Sequence, residues 1–329
     1  MDSLYGFGLE IIGWLQETYP QLEPFFVLIS SLGSLEFYLA VLPLVYWTID
    51  KRLGKLLGLI LFTSVGMNTI FKQAFRGPRP YWLDPSLGIL ETEGYGIPSG
   101  HTQNSTALFL IVASWIRKKW AWLLAFLLIV LMGLSRFYLG DNFISDVIGG
   151  FLLGLIILGG IILWRRYFAT SFSKRILGQR LLFPILLSLI LAMVFVIVVL
   201  LIGTPNLTVA WAEYIPEAEL KSKTEMATAF GALLGFGIGI TLETTRIRFR
   251  ADGPWGKRVA RYVLGIIVTV VIWRGLGMLF PDNPLWLAIP LRIFRYALVA
   301  LWASYYAPAM FVRLRLTEAD TEPEFSLKL

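Results

Sequence analysis

The chain has 329 residues, of which 57% are hydrophobic and 16% charged, with no cysteine and a formal net charge of +7. With a mean hydropathy of +0.69, this composition excludes an ordinary soluble domain and indicates a polytopic membrane protein. The absence of cysteine removes disulfides, thiol nucleophiles and thiolate metal sites.

In chain order, residues 1–23 begin MDSLYGFGLEIIGWLQ, lack a basic n-region and a small-residue cleavage pattern, and read as an interfacial helix carrying Glu10 and Glu17. A helix that crosses about 30 Å of hydrocarbon needs about 20 apolar residues. Segments 24–48, 54–73, 101–116, 119–135, 143–164, 181–203, 225–242, 261–280 and 285–312 fit that requirement. The expected fold is therefore an all-α membrane bundle of about nine transmembrane helices. Glu36 falls near the middle of the first segment and reads as a buried charge. The chain divides into the interfacial segment 1–23, a core over 24–180, a C-terminal transmembrane module over 181–312 and a tail over 313–329.

Basic residues concentrate on the cytoplasmic side of membrane proteins, so the charge is informative once placed by loop. Asp50-Lys51-Arg52 with Lys55, Arg117-Lys118-Lys119, the stretch 165–180, the loop 246–261 and Arg313 with Arg315 fall on one side. The acidic N-terminal segment and the loop with Glu213, Glu217 and Glu219 fall on the other. This places the N-terminus outside and, for nine spans, the C-terminus in the cytoplasm. The RIRFR run reads as a membrane-surface anchor and not as a nucleic-acid site.

Three polar segments put basic residues on the outer side against that rule: Lys72 to Pro80 leaving the second span, Pro98-Ser99-Gly100-His101 entering the third, and Ser135-Arg136 leaving the fourth, followed by Asn142 and Asp146. A phosphomonoester bears about two negative charges near neutral pH and needs fixed cations or aimed donors. Lys72, Arg79 and Arg136 supply cations. Ser99 and Gly100 stand just before a helix, where free N–H groups and the helix dipole favour an anion. His101, on the first turn, is placed to protonate a leaving alkoxide. Taken singly, Lys72 would be a snorkelling residue, Arg79 part of a surface turn and His101 a satisfied polar residue at a helix start. Tyr81 and Trp82 read as interfacial belt residues.

Lysine-x6-arginine-proline, then PSGH, then serine-arginine-x5-histidine-x3-aspartate is the signature of the type 2 phosphatidic acid phosphatase superfamily, and residues 24–164 resemble it in order and spacing. The resemblance implies a membrane lipid phosphate phosphatase in which the last histidine is the nucleophile, forming a phosphohistidine. It makes the aspartate matching Asp146 the group that orients that ring, and the histidine matching His101 the general acid. Asn142 occupies the nucleophile position. An amide nitrogen lends its lone pair to the carbonyl, so it hydrogen-bonds but does not attack phosphorus. Two neighbours also depart from the family's usual apolar residue and proline, since this chain has Asp141 and Ile144. Asp141 or Asp146 is a substitute only as a carboxylate that forms an acyl phosphate or activates water.

Within the C-terminal module, Arg274, Arg292 and Arg295 lie at similar outer depth and suggest a second anion-attracting cavity, with pairing to Glu225 or outward snorkelling as the alternative. Neither a metal nor a cofactor is implied. The expected partners are a phosphorylated lipid and the surrounding membrane lipids, and the GIPSGHTQN stretch resembles relatives of sphingosine 1-phosphate phosphatases, favouring single-chain or prenyl-type phosphates. Two readings stay open: a lipid phosphate phosphatase that is weak or rerouted, and an inactive pseudo-phosphatase that binds or translocates a phosphorylated lipid.

Overall fold

Lipid offers no partners to backbone N–H and C=O groups, and an α-helix satisfies them within one segment. The computed structural model describes residues 2–320, and every regular element in that range is helical. Helix α1 (Asp2–Thr18) precedes α2 (Glu23–Ser31) and α3 (Leu35–Leu44), and then α4 (Lys51–Phe75) and α5 (Pro80–Leu83). After a loop over 84–99 come α6 (Gly100–Ile116), α7 (Lys119–Tyr138), α8 (Ile144–Tyr167) and the short α9 (Ala169–Ser173). The chain continues through α10 (Leu177–Ile202), α11 (Ile215–Leu242), α12 (Trp255–Leu279), α13 (Leu285–Leu301) and α14 (Ala307–Arg313).

Among the described residues, seven helices are long and apolar enough to cross a membrane, or eight if the pair around α2 and α3, bent by 49°, is one span. The protein is an all-α integral membrane bundle, and the expected count of nine is not reached on length and hydropathy. The difference is α6, which is 17 residues long and buries Thr102, Gln103, Asn104, Ser105 and Thr106. Its amino half is polar because it faces protein and not lipid. Helix α10 shows the opposite pattern, leaving Leu200 and Leu201 75% and 80% exposed.

Three details correct the sequence reading. Glu36 lies on the first turn of α3, just after the bend, and is exposed, so it is not a buried mid-helix charge. Tyr81 and Trp82 are buried instead of forming a belt: the Tyr81 hydroxyl donates to the Thr92 carbonyl at 3.0 Å, and Trp82 stacks on Tyr214 at 5.2 Å. The loop over 84–99 and the start of α11 supply that cover.

The helices form two compact units, one of residues 1–38, 67–159 and 194–225, the other of 39–66, 160–193 and 226–329. These units cut across the chain-order segments 24–180 and 181–312. In the first, α1 buries Ile12 with Leu87 and Phe137, while Tyr81, Trp82, Tyr95 and Ala218 form a second cluster. In the other, Tyr46, Trp47, Phe249, Ala251, Ala307 and Phe311 pack together, as do Ala232, Phe236, Tyr296 and Ala300.

Candidate functional site

All the residues of the three polar segments belong to the first unit. Helix α4 ends one turn after Lys72, α6 begins at Gly100, and α7 ends two residues after Arg136. Gly140, at φ +71°, turns the chain after α7, and a Cβ here would collide with the Leu87 carbonyl. That turn brings the Asp141 and Asn142 N–H groups back onto the Arg136 carbonyl, each at 3.1 Å. Asp146, in the first turn of α8, accepts the Phe143 N–H at 2.9 Å, the reciprocal half of a capping box.

The amino end of α6 has the properties of an anion cradle. Ser99 is its N-cap in extended conformation, with its hydroxyl 3.5 Å from the Thr102 N–H and its own N–H on the Asp146 carbonyl at 2.9 Å. The next two N–H groups, of Gly100 and His101, have no acceptor among the described residues. They are the orphan donors that every helix start leaves. The His101 ring makes no hydrogen bond among these residues, and Arg136, Lys72 and Arg79 all act on it electrostatically. It rests against Gly33, where a Cβ would come within 2.5 Å of the ring Cδ2.

The three cations differ in how they are held. Lys72 is 9% exposed, and its ammonium has neither a hydrogen bond nor an ion pair among the described residues. Glu225 acts on it electrostatically as an acidic neighbour. Arg79, 2% exposed, spends its guanidinium on backbone: Nε on the Gly94 carbonyl, Nη1 on that of Asp141 at 2.8 Å, and Nη2 on those of Glu93 and Tyr95 at 3.2 Å. Arg136 reaches the Ser30 hydroxyl at 2.7 Å, the Thr92 hydroxyl at 3.0 Å and Asp141 Oδ2 at 2.8 Å. The guanidinium fork presents five donors in a plane, so it can be filled by carbonyls and hydroxyls in a way an ammonium on a flexible stem is not.

Asp141 is fully buried; beyond Arg136 it accepts the Thr92 N–H at 3.0 Å and lies 3.9 Å from Arg79. It is the counter-charge of the arginine pair. Asn142 is also buried: its amide nitrogen donates to the Gly96 carbonyl at 2.9 Å and lies 3.4 Å from Asp146 Oδ2, and Arg136 Nε is 3.5 Å from its oxygen. The side chain thus keeps a donor toward Asp146 while offering no nucleophile.

Several supporting residues escape a motif reading. Asn68 donates to the Pro98 carbonyl at 3.1 Å and to Gln103 Oε1 at 2.7 Å, fixing the turn before α6. Its sequence signal is its place one turn before Lys72 on the same face of α4. Ser30 and Thr92 carry no such signal. Glu219 of α11 accepts from the Tyr95 hydroxyl at 2.8 Å and Gln73 Nε2 at 3.0 Å, and pairs with Arg76 at 2.9 Å. Burial, and then the hydrogen bond to Glu219, raise the Tyr95 phenol above its ordinary value, which keeps it a donor.

The arginines of the second unit are distributed differently. Arg292 donates to the Thr228 hydroxyl at 2.8 Å and lies over the Tyr296 ring at 5.5 Å, and Arg295 lies over the same ring at 4.9 Å. Arg274 is exposed over Trp273 at 5.4 Å. No carboxylate pairs with any of the three among the described residues.

A family model described as the PAP2 superfamily matches residues 53–170, and one described as the PAP2 superfamily phosphatase transmembrane extension matches 227–320. Lipid phosphate phosphatase delta of Arabidopsis thaliana is 29% identical over 42% of this chain and 37% of its own length. Sphingosine-1-phosphate phosphatase 2 of Homo sapiens is 28% identical over 64% of this chain and 50% of its own. The chain thus spans half or less of those two relatives. Glucose-6-phosphatase catalytic subunit 1 of Canis lupus familiaris is 24% identical over 86% of this chain and 87% of its own length. No solved structure gives a significant match. With the signature residues gathered at one set of helix ends and both family models matched in order, the chain belongs to the PAP2 superfamily and carries its transmembrane extension.

Proposed function

We propose that this protein binds the phosphomonoester of a phosphorylated lipid at the amino end of α6 and that its covalent hydrolysis is weak or lost. The observation that carries the reading is Lys72, a buried residue whose ammonium has no hydrogen-bonded or ion-paired partner among the described residues, in the same unit as the unclaimed N–H groups of Gly100 and His101. A buried charge needs compensation, and a dianion supplies it. Arg79 and Arg136 act by holding the loop and Asp141 and by adding positive potential. His101 is the proton donor to the leaving oxygen, and Asp146 holds Asn142 as it would hold a histidine. The site faces the extracytoplasmic side, with the N-terminus outside and the C-terminus in the cytoplasm, as the loop charges argue.

A route through Asp141 is disfavoured by its full burial and its pairing with Arg136. An inactive protein that holds or passes on a phosphorylated lipid is the limiting case of the same reading. Arg274, Arg292 and Arg295 then serve as a second attractor for anionic headgroups, because they lack carboxylate partners. The near full-length likeness to a glucose-6-phosphatase favours testing a soluble phosphomonoester alongside the lipids.

The test is phosphate release from sphingosine 1-phosphate, phosphatidate and glucose 6-phosphate by the purified chain and by Asn142→His. The expected result is near-background release by the unmodified chain and a rise of about 100-fold or more in the variant, the order of magnitude a restored catalytic group contributes. Brisk turnover by the unmodified chain that Asp141→Asn abolishes would overturn the reading.

A further inference from the structure

The second unit contains a cavity of about 1020 Å³ formed by α4, the end of α8, α9, the start of α10 and α11. Its wall includes seven lysines or arginines and no aspartate or glutamate. Lys55 pairs with Glu243 at 2.5 Å. Arg165 and Arg180 both line the cavity, and Arg180 Nε is buried without a hydrogen bond among the described residues. The rest of the wall is mostly apolar, with Leu59, Leu187 and Leu233 among its residues and four hydroxyl side chains, Thr170, Ser173, Thr241 and Thr244.

Basic residues at helix ends ordinarily anchor a membrane protein to headgroups from outside. Here they line a concavity together with hydrocarbon side chains, and one guanidinium nitrogen, Arg180 Nε, is buried without a hydrogen bond among the described residues. A ligand that matches must be anionic at one end and apolar at the other. Pockets of about 300–1,000 Å³ enclose most of a drug-sized ligand, so this one accommodates a headgroup with part of an acyl chain.

We propose that this cavity binds one acidic phospholipid, its phosphate between Arg165 and Arg180 and an acyl chain along Leu59, Leu187 and Leu233. Four helices and α9 share the wall, so an occupant ties them together and stabilises the folded chain by mass action. A zwitterionic lipid lacks the net charge, and a soluble phosphate lacks the chain.

The test is thermal unfolding of the full chain in detergent with added phosphatidylglycerol, phosphatidylcholine or glycerol 3-phosphate. Phosphatidylglycerol is expected to raise Tm by about 5 °C, and the other two by less than about 1 °C. The double variant Arg165→Gln, Arg180→Gln should reduce the phosphatidylglycerol shift to the phosphatidylcholine level. Should it not fold, Thr241→Trp fills the cavity from α11 without removing charge and should do the same. Lys72→Met should keep the full shift, which separates this site from the cradle at α6. An equal shift from phosphatidylcholine, its reproduction by glycerol 3-phosphate, its survival in Thr241→Trp or in a folded double variant, or its loss in Lys72→Met would each overturn the proposal.

Discussion

Lys55 and Lys72 lie on the same helix, α4, and are 4% and 9% exposed, yet they answer the cost of a buried ammonium in different ways. Lys55 meets Glu243 at 2.5 Å and the Thr244 hydroxyl at 3.0 Å, within the second unit. Lys72, in the first unit, has no such partner among the described residues. Burying a charge costs several kcal/mol unless it is paired, so a folded chain keeps an unpaired one where something outside the chain completes it. The first lysine is part of a buried ion pair, and the second is the group we propose to bind the phosphate. Residue type, burial and helix are shared, and the missing counter-charge is what separates them.

That contrast can be broken experimentally. Lys55→Met leaves the Glu243 carboxylate buried and alone, and is expected to lower unfolding stability in detergent by about 3–5 kcal/mol. Adding Glu243→Gln should return much of the loss, and additive losses in the double variant would show that the pair is not a unit. Lys72→Met should instead leave stability unchanged or slightly raised while weakening affinity for a lipid phosphomonoester by about 1.5–3 kcal/mol, roughly 10- to 100-fold. A fall in stability like that of Lys55→Met, with affinity retained, would assign Lys72 to the fold. Gly33→Ala sets a Cβ against the His101 ring, and should cut turnover of the Asn142→His variant about tenfold through kcat with little change in KM, since it moves a proton donor by a fraction of an ångström. The smallest expected effect is that of Glu219→Gln, about 1 kcal/mol of stability, because the amide still accepts from Tyr95 while the charge facing Arg76 is gone.

The fold and the cradle were legible to different depths. Hydropathy finds the long helices because lipid exposure demands apolar residues in runs. It misjudges α6, whose polar first turns are solvated by protein. The motif spacing places Lys72, Ser99, Gly100 and His101 at helix ends because that position is set by local sequence. It does not show that the Arg79 guanidinium is filled by carbonyls from 93–95, or that Asp141 neutralises Arg136, because a guanidinium takes whatever acceptors the tertiary structure brings. Asn142 is plain from sequence, but its contacts with the Gly96 carbonyl and Asp146 are not, because both depend on where the loop before α6 and the first turn of α8 are brought together. Tyr81 and Trp82 look interfacial until Tyr214 is known to cover them.

The acceptor that joins Arg76, Gln73 and Tyr95 is Glu219, more than a hundred residues farther along the chain. During synthesis the PSGH turn, α7 and α8 are therefore made long before the loop beside Lys72 has its clamp. These contacts can form only after the ribosome has passed the start of α11, and a chain cut at residue 180 would lack them.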